Sequence, residues 1–207
     1  MKRVQYPQSS EEVQKATKET IKVALQIQRE TSAIKQGVWR YNPSELRVLW
    51  RNIYDAIDFW TGKTYVGKKK DKNLTNAYNQ FFSELLSFLL LCCENENYLP
   101  KELSSFARKA LYRGRIYRYL GRGEHANNYT PINVNYDGNF VSWTKNPKNH
   151  YLELKLYGPI TYLTCEIREP YYGIDLAAME VSRGEEDEVV FPTLREAIID
   201  IQILDDE

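Results

Sequence analysis

Three short stretches in the second half of the chain carry side chains that can do chemistry together. The first is Leu111-Tyr112-Arg113-Gly114. A guanidinium at a strand end grips phosphate through a planar fork, and a glycine after it lets the backbone turn or approach a ligand closely. The second is Phe140-Val141-Ser142-Trp143-Thr144. Side chains alternate along a strand, so the hydroxyls of Ser142 and Thr144 share a face, where they can orient a carboxylate or bind a ribose. The third is Glu185-Glu186-Asp187-Glu188-Val189-Val190-Phe191-Pro192. In extended backbone Glu186 and Glu188 lie on one side, about 6–7 Å apart, and two carboxylates so placed can divide two tasks. Taken singly, each stretch also reads as an ordinary surface feature: an arginine beside a turn glycine, a polar strand face, a solvated acidic cluster.

The composition limits the class of protein. Lys plus Arg and Asp plus Glu are both 28, so the chain lacks the excess basic charge of a general nucleic-acid binder, although a local basic patch remains open. Hydrophobic residues at 43% and charged residues at 27% fit a soluble globular protein. The cysteines are Cys92, Cys93 and Cys165, and the histidines are His125 and His150. An odd cysteine count with an adjacent pair and no C-x-x-C spacing argues against a disulfide framework and against a structural zinc site, so no metal is expected. The N-terminal MKRVQYPQSSEE lacks the apolar segment of a signal peptide, which with the free thiols predicts a reduced, cytoplasmic protein. The most apolar run, Phe81 to Cys93, is shorter than the ~20 residues of a membrane span and predicts a buried helix.

The elements that must position the three stretches follow from periodicity. Ser9 and Glu12 resemble a capping box ahead of a helix from about Glu11 to Ile34, with a weak stripe of Val13, Ala16, Thr17, Ile21, Ala24, Leu25 and Gln28. Pro43 opens a second helix, in which Leu46, Leu49, Trp50, Ile53, Tyr54, Ile57 and Trp60 recur at spacings of three and four until Gly62. A basic loop with Lys68-Lys69-Lys70 leads to a helix from about Leu74 to Cys93, and Pro100 starts a shorter one to about Lys109. From Ala110 the pattern changes to short apolar runs between turns. Strands are predicted at Ile116–Leu120, Phe140–Thr144, Tyr151–Leu156, Ile160–Ile167 and Val189–Phe191, and Leu194–Ile203 fits a helix or a final strand. The fold class is α+β, with a helical region over residues 1–108 and a mainly β domain over 109–207.

In their order and context the three stretches, between about Ala110 and Pro192, resemble the arginine–serine–glutamate branch of the ADP-ribosyltransferase family. Leu111-Tyr112-Arg113-Gly114 matches the family's hydrophobic residues before the arginine. Phe140-Val141-Ser142 matches the phenylalanine and first serine of the middle motif, which departs at Trp143 and keeps a hydroxyl at Thr144. Glu186-Asp187-Glu188-Val189-Val190 fits the glutamate-any-glutamate motif before an apolar strand. Arg115 and Arg118 are alternatives to Arg113.

The resemblance implies two packed sheets around an NAD cleft and a glycosyltransferase-class reaction. NAD, as co-substrate, loses nicotinamide, and ADP-ribose passes to an acceptor. Glu188 would bond the ribose and stabilise its developing charge, Ser142 would hold Glu188, and Arg113 would hold the phosphates. Gly114 and Thr144 would line the NAD site, and Trp143 either packs beside nicotinamide or the substrate or is a core residue on the face opposite Ser142. Glu186 would meet the nucleophile. The loop from about Asp175 to Glu185, with Met179, Arg183 and Gly184, would recognise the acceptor. Glutamate at position 186 favours an arginine side chain on a protein as acceptor. RNA or DNA is the alternative, supported by the Lys68–Lys70 loop and the many tyrosines. Family members of this size include intracellular toxins, phage proteins and phage-defence effectors, so a neutralising antitoxin or inhibitor is an expected partner and a membrane is not. A non-catalytic module that binds NAD or a partner is the reading from another class.

Overall fold

The computed structural model describes residues 10–61, 71–120, 136–147, 160–181 and 187–204. The chain divides into two compact units, Met1–Leu111 and Tyr112–Glu207.

In the first unit, apolar residues at helical spacing build four helices: α1 (Ser10–Lys35), α2 (Pro43–Thr61), α3 (Lys72–Glu94) and α4 (Lys101–Ala110). Their starts have local causes. The Asn42 side chain accepts from the amides of Ser44 and Glu45 at the head of α2, and Asp71 accepts from the Leu74 amide at the head of α3. Pro100 stands at the N-cap of α4. Phe81, Phe82, Leu85, Phe88 and Leu89 of α3 are fully buried, as are Leu49, Ile53 and Ile57 of α2. Each such side chain contributes about 1.5–3 kcal/mol by leaving water. Trp60 meets Phe82 edge-on at 4.8 Å.

For α1 the sequence misleads. The buried stripe is Ala16, Thr20, Val23, Ala24, Ile27, Thr31 and Ile34, whereas Ile21 and Leu25 are 36% and 45% exposed. The stripe is poor in large apolar residues because α1 packs on α3, whose phenylalanines and leucines supply the apolar volume. Among the described residues no helix is long and apolar enough to cross a membrane. Ser9, the Lys68–Lys70 loop and the strand expected at Tyr151–Leu156 lie outside the described residues.

The described residues of the second half of the chain form a seven-stranded sheet: β1 (Leu111–Tyr112), β2 (Gly114–Leu120), β3 (Phe140–Thr144), β4 (Ile160–Ile167), β5 (Gly173–Asp175), β6 (Glu188–Pro192) and β7 (Ile198–Leu204). The spatial order is β1-β5-β6-β3-β2-β4-β7. Only Arg113 separates β1 from β2 in sequence, yet three strands lie between them in the sheet, so the sheet curls back on itself. Among the described residues one continuous sheet stands where two packed sheets were expected, because β3 pairs antiparallel on both sides, with β6 and with β2. The ambiguous segment after Leu194 resolves into a 3₁₀ turn at Arg195–Ala197 and the edge strand β7. β5 was not expected. One sheet face buries Ile116, Val141, Trp143, Leu163, Cys165, Ile167, Val189 and Phe191 as a single cluster.

Candidate active site

The register of β2, β3 and β6 decides which side chains can meet. Thr144 lies opposite Glu188 on one side and Tyr117 on the other, and Ser142 lies opposite Val190. Directly paired residues point to the same face of a sheet. Ser142, Thr144, Glu188 and Tyr117 therefore share the face opposite the apolar cluster. Thr144 is the direct neighbour of Glu188, with β-carbons about 5 Å apart in such pairs, and Ser142 is its diagonal neighbour at about 7–8 Å. The expectation of a serine beside the glutamate thus shifts by one position on the face.

Glu188 is the first residue of β6 and is 4% exposed. A carboxylate so deeply withdrawn is costly unless polar partners surround it. Its backbone carbonyl accepts from the Leu176 amide at 2.9 Å. The Thr144 hydroxyl accepts from the Asn146 amide at 3.1 Å and donates to the Asn146 carbonyl at 3.3 Å, which turns the chain at the end of β3.

Trp143 is not beside this face. It is 2% exposed within the apolar cluster, and its indole N–H donates to the Phe191 carbonyl at 3.0 Å. Strand alternation puts it opposite Ser142, so of its two readings the core position holds and the place beside nicotinamide does not.

Arg113 occupies the joint between β1 and β2. Gly114 follows with φ +139°, a conformation that side chains with a β-carbon rarely adopt, and a β-carbon there would lie 2.9 Å from the Tyr112 hydroxyl. The Arg113 guanidinium engages the segment before β5: it donates to the Tyr171 carbonyl at 3.2 Å, pairs with Glu169 at 3.1 Å and lies 3.8 Å over the Tyr172 ring. This is the planar use of arginine that lysine cannot copy.

Arg118 donates to the Ser142 carbonyl at 3.1 Å, and desolvation lowers its pKa to about 10. Strand alternation puts it opposite Tyr117, on the side of Ile116, so it braces β3 from the apolar face. Arg115 is exposed and lies across from Glu166 of β4, on the same face as Tyr117. Glu166 itself pairs with Arg168.

Several members of this neighbourhood were not foreseen. Tyr117 stacks on Tyr162 of β4 with ring centroids 5.7 Å apart and planes within 9°. The abundance of tyrosine was visible in the sequence, but the pairing needs the β2–β4 register. Lys145, just past β3, pairs with Asp175 at 2.9 Å and approaches Asp187 at 3.9 Å. Asp175 was expected to open an acceptor loop. Instead it ends β5, is 6% exposed, and accepts from the Ala178 amide. Met179, expected in the same loop, is 1% exposed and so is withdrawn from any acceptor. Arg183, Gly184 and Glu186 lie outside the described residues.

Comparison with family models, with curated proteins and with solved structures finds no match to the chain.

Proposed function

We propose that this chain is an NAD-dependent mono-ADP-ribosyltransferase whose acceptor is an arginine side chain of a protein. One observation carries the reading. Two motif segments more than forty residues apart in sequence fall on the neighbouring strands β6 and β3, with Glu188 buried at the head of β6 and Thr144 and Ser142 on the same face, while the third segment, with Arg113, spans the joint between β1 and β2. A surface acidic cluster has no reason to end in a buried carboxylate across from a hydroxyl. The residues also suit the chemistry of NAD. Arg113 offers a fork for phosphate. The Tyr117–Tyr162 pair offers a flat aromatic surface beside Thr144, of the kind that packs against a heteroaromatic ring.

In the reaction the bond between ribose C1′ and the pyridinium nitrogen breaks, and its electron pair leaves with nicotinamide, which departs neutral. No general acid is required. Positive charge develops on the ribose carbon, and Glu188 stabilises it where it exists mainly in the transition state. A guanidinium nitrogen of the acceptor then bonds C1′ and gives up its proton to Glu186.

Glu188→Gln keeps shape and hydrogen bonding while removing the charge. Nicotinamide release by the variant, followed with purified protein and NAD, is expected to fall by about two to three orders of magnitude, the usual effect of losing one preorganised electrostatic contact. Circular dichroism and melting temperature should stay close to wild type. Release at the wild-type rate by Glu188→Gln would remove the assignment. A wild type that releases no nicotinamide with any protein or nucleic-acid fraction would favour a binding module instead.

A further inference from the structure

Glu188 needs more than burial if its charge is to act, because a carboxylate on the first residue of a strand has backbone support on only one side unless neighbouring segments hold it. Two backbone bonds bracket it. The Leu176 amide, just past β5, donates to the Glu188 carbonyl at 2.9 Å, and the Lys145 amide, just past β3, donates to the Asp187 carbonyl at 2.8 Å. The Lys145 side chain joins the same three segments. Its ammonium bonds Asp175 at the end of β5 at 2.9 Å, approaches Asp187 at 3.9 Å, and lies 5.8 Å from the centre of the Tyr112 ring. The Asp175 side chain is only 8% exposed, and that ammonium is its ionic partner. Its second oxygen accepts from the Ala178 amide at 3.0 Å and fixes the turn that carries Leu176.

We propose that Lys145 is a positioning residue for Glu188. It ties the end of β3, the end of β5 and the residue before Glu188 into one clamp at the head of β6. Asp175 is the anchor of the clamp, and Asp187 is the handle by which it holds the glutamate-bearing segment. The catalytic consequence rests on the transferase reading above, whereas the clamp itself does not.

Lys145→Met, Lys145→Arg and Asp187→Asn test this in the full chain with two readouts. The first is amide hydrogen exchange at position 145 and at Leu176. Lys145→Met should accelerate it by about tenfold or more, Asp187→Asn by a smaller factor, and Lys145→Arg should restore most of the protection. The second is nicotinamide release. Lys145→Met should lower kcat by about tenfold while KM for NAD changes less than about twofold, the split expected when only transition-state stabilisation is lost. Asp187→Asn, at a half-exposed side chain, removes no buried charge and gives the same direction of change should Lys145→Met not fold. Wild-type exchange and wild-type kcat in both Lys145→Met and Asp187→Asn would overturn the proposal. So would a rise in KM at constant kcat, which would make Lys145 an NAD ligand. If the wild type releases no nicotinamide but Lys145→Met loses protection, the clamp stands and the transferase reading falls.

Discussion

Three arginines lie within six residues of one another, and their surroundings separate them. Arg118 is committed to the Ser142 carbonyl from the apolar side, and Arg115 faces solvent. Arg113 is stacked on Tyr172 and directed by the Tyr171 carbonyl, with Glu169 as the one anionic partner of its fork among the described residues. Glu169 is 81% exposed, so this pair is screened and gives little stability. On the proposed reading an incoming phosphate would exchange one anion for another at small cost. Arg113→Lys keeps the charge but loses the fork and the stack. It should raise KM for NAD by about tenfold with a smaller change in kcat, while Arg115→Lys stays within about twofold of wild type. Steady-state nicotinamide release decides between them, and the reverse result would transfer the phosphate role to Arg115. At this scale the sequence was most informative about alternation. It put the Ser142 and Thr144 hydroxyls on one face and allowed Trp143 the other. It was silent on Thr144 as the direct neighbour of Glu188, because that depends on the β3–β6 register, set by residues more than forty positions apart.

Among the elements, α2 and α3 were legible because large apolar residues recur at helical spacing and burial follows them. β7 was not, since Ile-Ile-Asp-Ile-Gln-Ile-Leu satisfies a period of two and, over so short a run, does not exclude a helix. β5 escaped notice because it has three residues, too few for any period. Its place is instead fixed by packing. A β-carbon on Gly173 would lie 2.6 Å from a Val189 methyl and 2.9 Å from the Ile167 Cδ1, so glycine is what lets β5 lie close against β6. Gly173→Ala must push the strands apart or displace Val189 within the cluster. The expected cost is about 1–3 kcal/mol in unfolding free energy, typical of overpacking. Because the Leu176 amide that supports Glu188 follows directly on β5, kcat for nicotinamide release should fall with it. Urea denaturation gives the first quantity and steady-state kinetics the second. A variant as stable and as active as wild type would show that β5 is not pinned in this way.

At the scale of the whole molecule, the two units have buried thiols that make alkaline stability predictable. Burial raises the pKa of Cys92, in the helical unit, from 9.0 to about 12, and that of Cys165, in the sheet, likewise from 9.0 to about 12. A thiol is neutral when protonated, so below the unfolded value both states hold the proton and the contribution to stability is complete. Above it the unfolded chain releases a proton that the folded chain retains until about pH 12, and stability falls as pH rises. Once the unfolded thiol is fully ionised, each contributes a loss of about 1.4 kcal/mol per pH unit. Arg118 acts with the opposite sign, but only above its depressed value of about 10, where the folded chain has lost a proton that the unfolded chain keeps. Tyr78, also raised by burial, joins the thiols above its ordinary value of 10.0. The interval between about pH 9 and about pH 10 therefore reports mainly the thiols, with Cys93, also raised by burial, adding to the fall in the same direction. Urea unfolding followed by circular dichroism across that interval should show a falling midpoint in the wild type. Cys92→Ala and Cys165→Ala should each remove part of the fall, and the double variant more than either, leaving the share of Cys93. A double variant that loses stability as steeply as the wild type would assign the alkaline weakness to other groups.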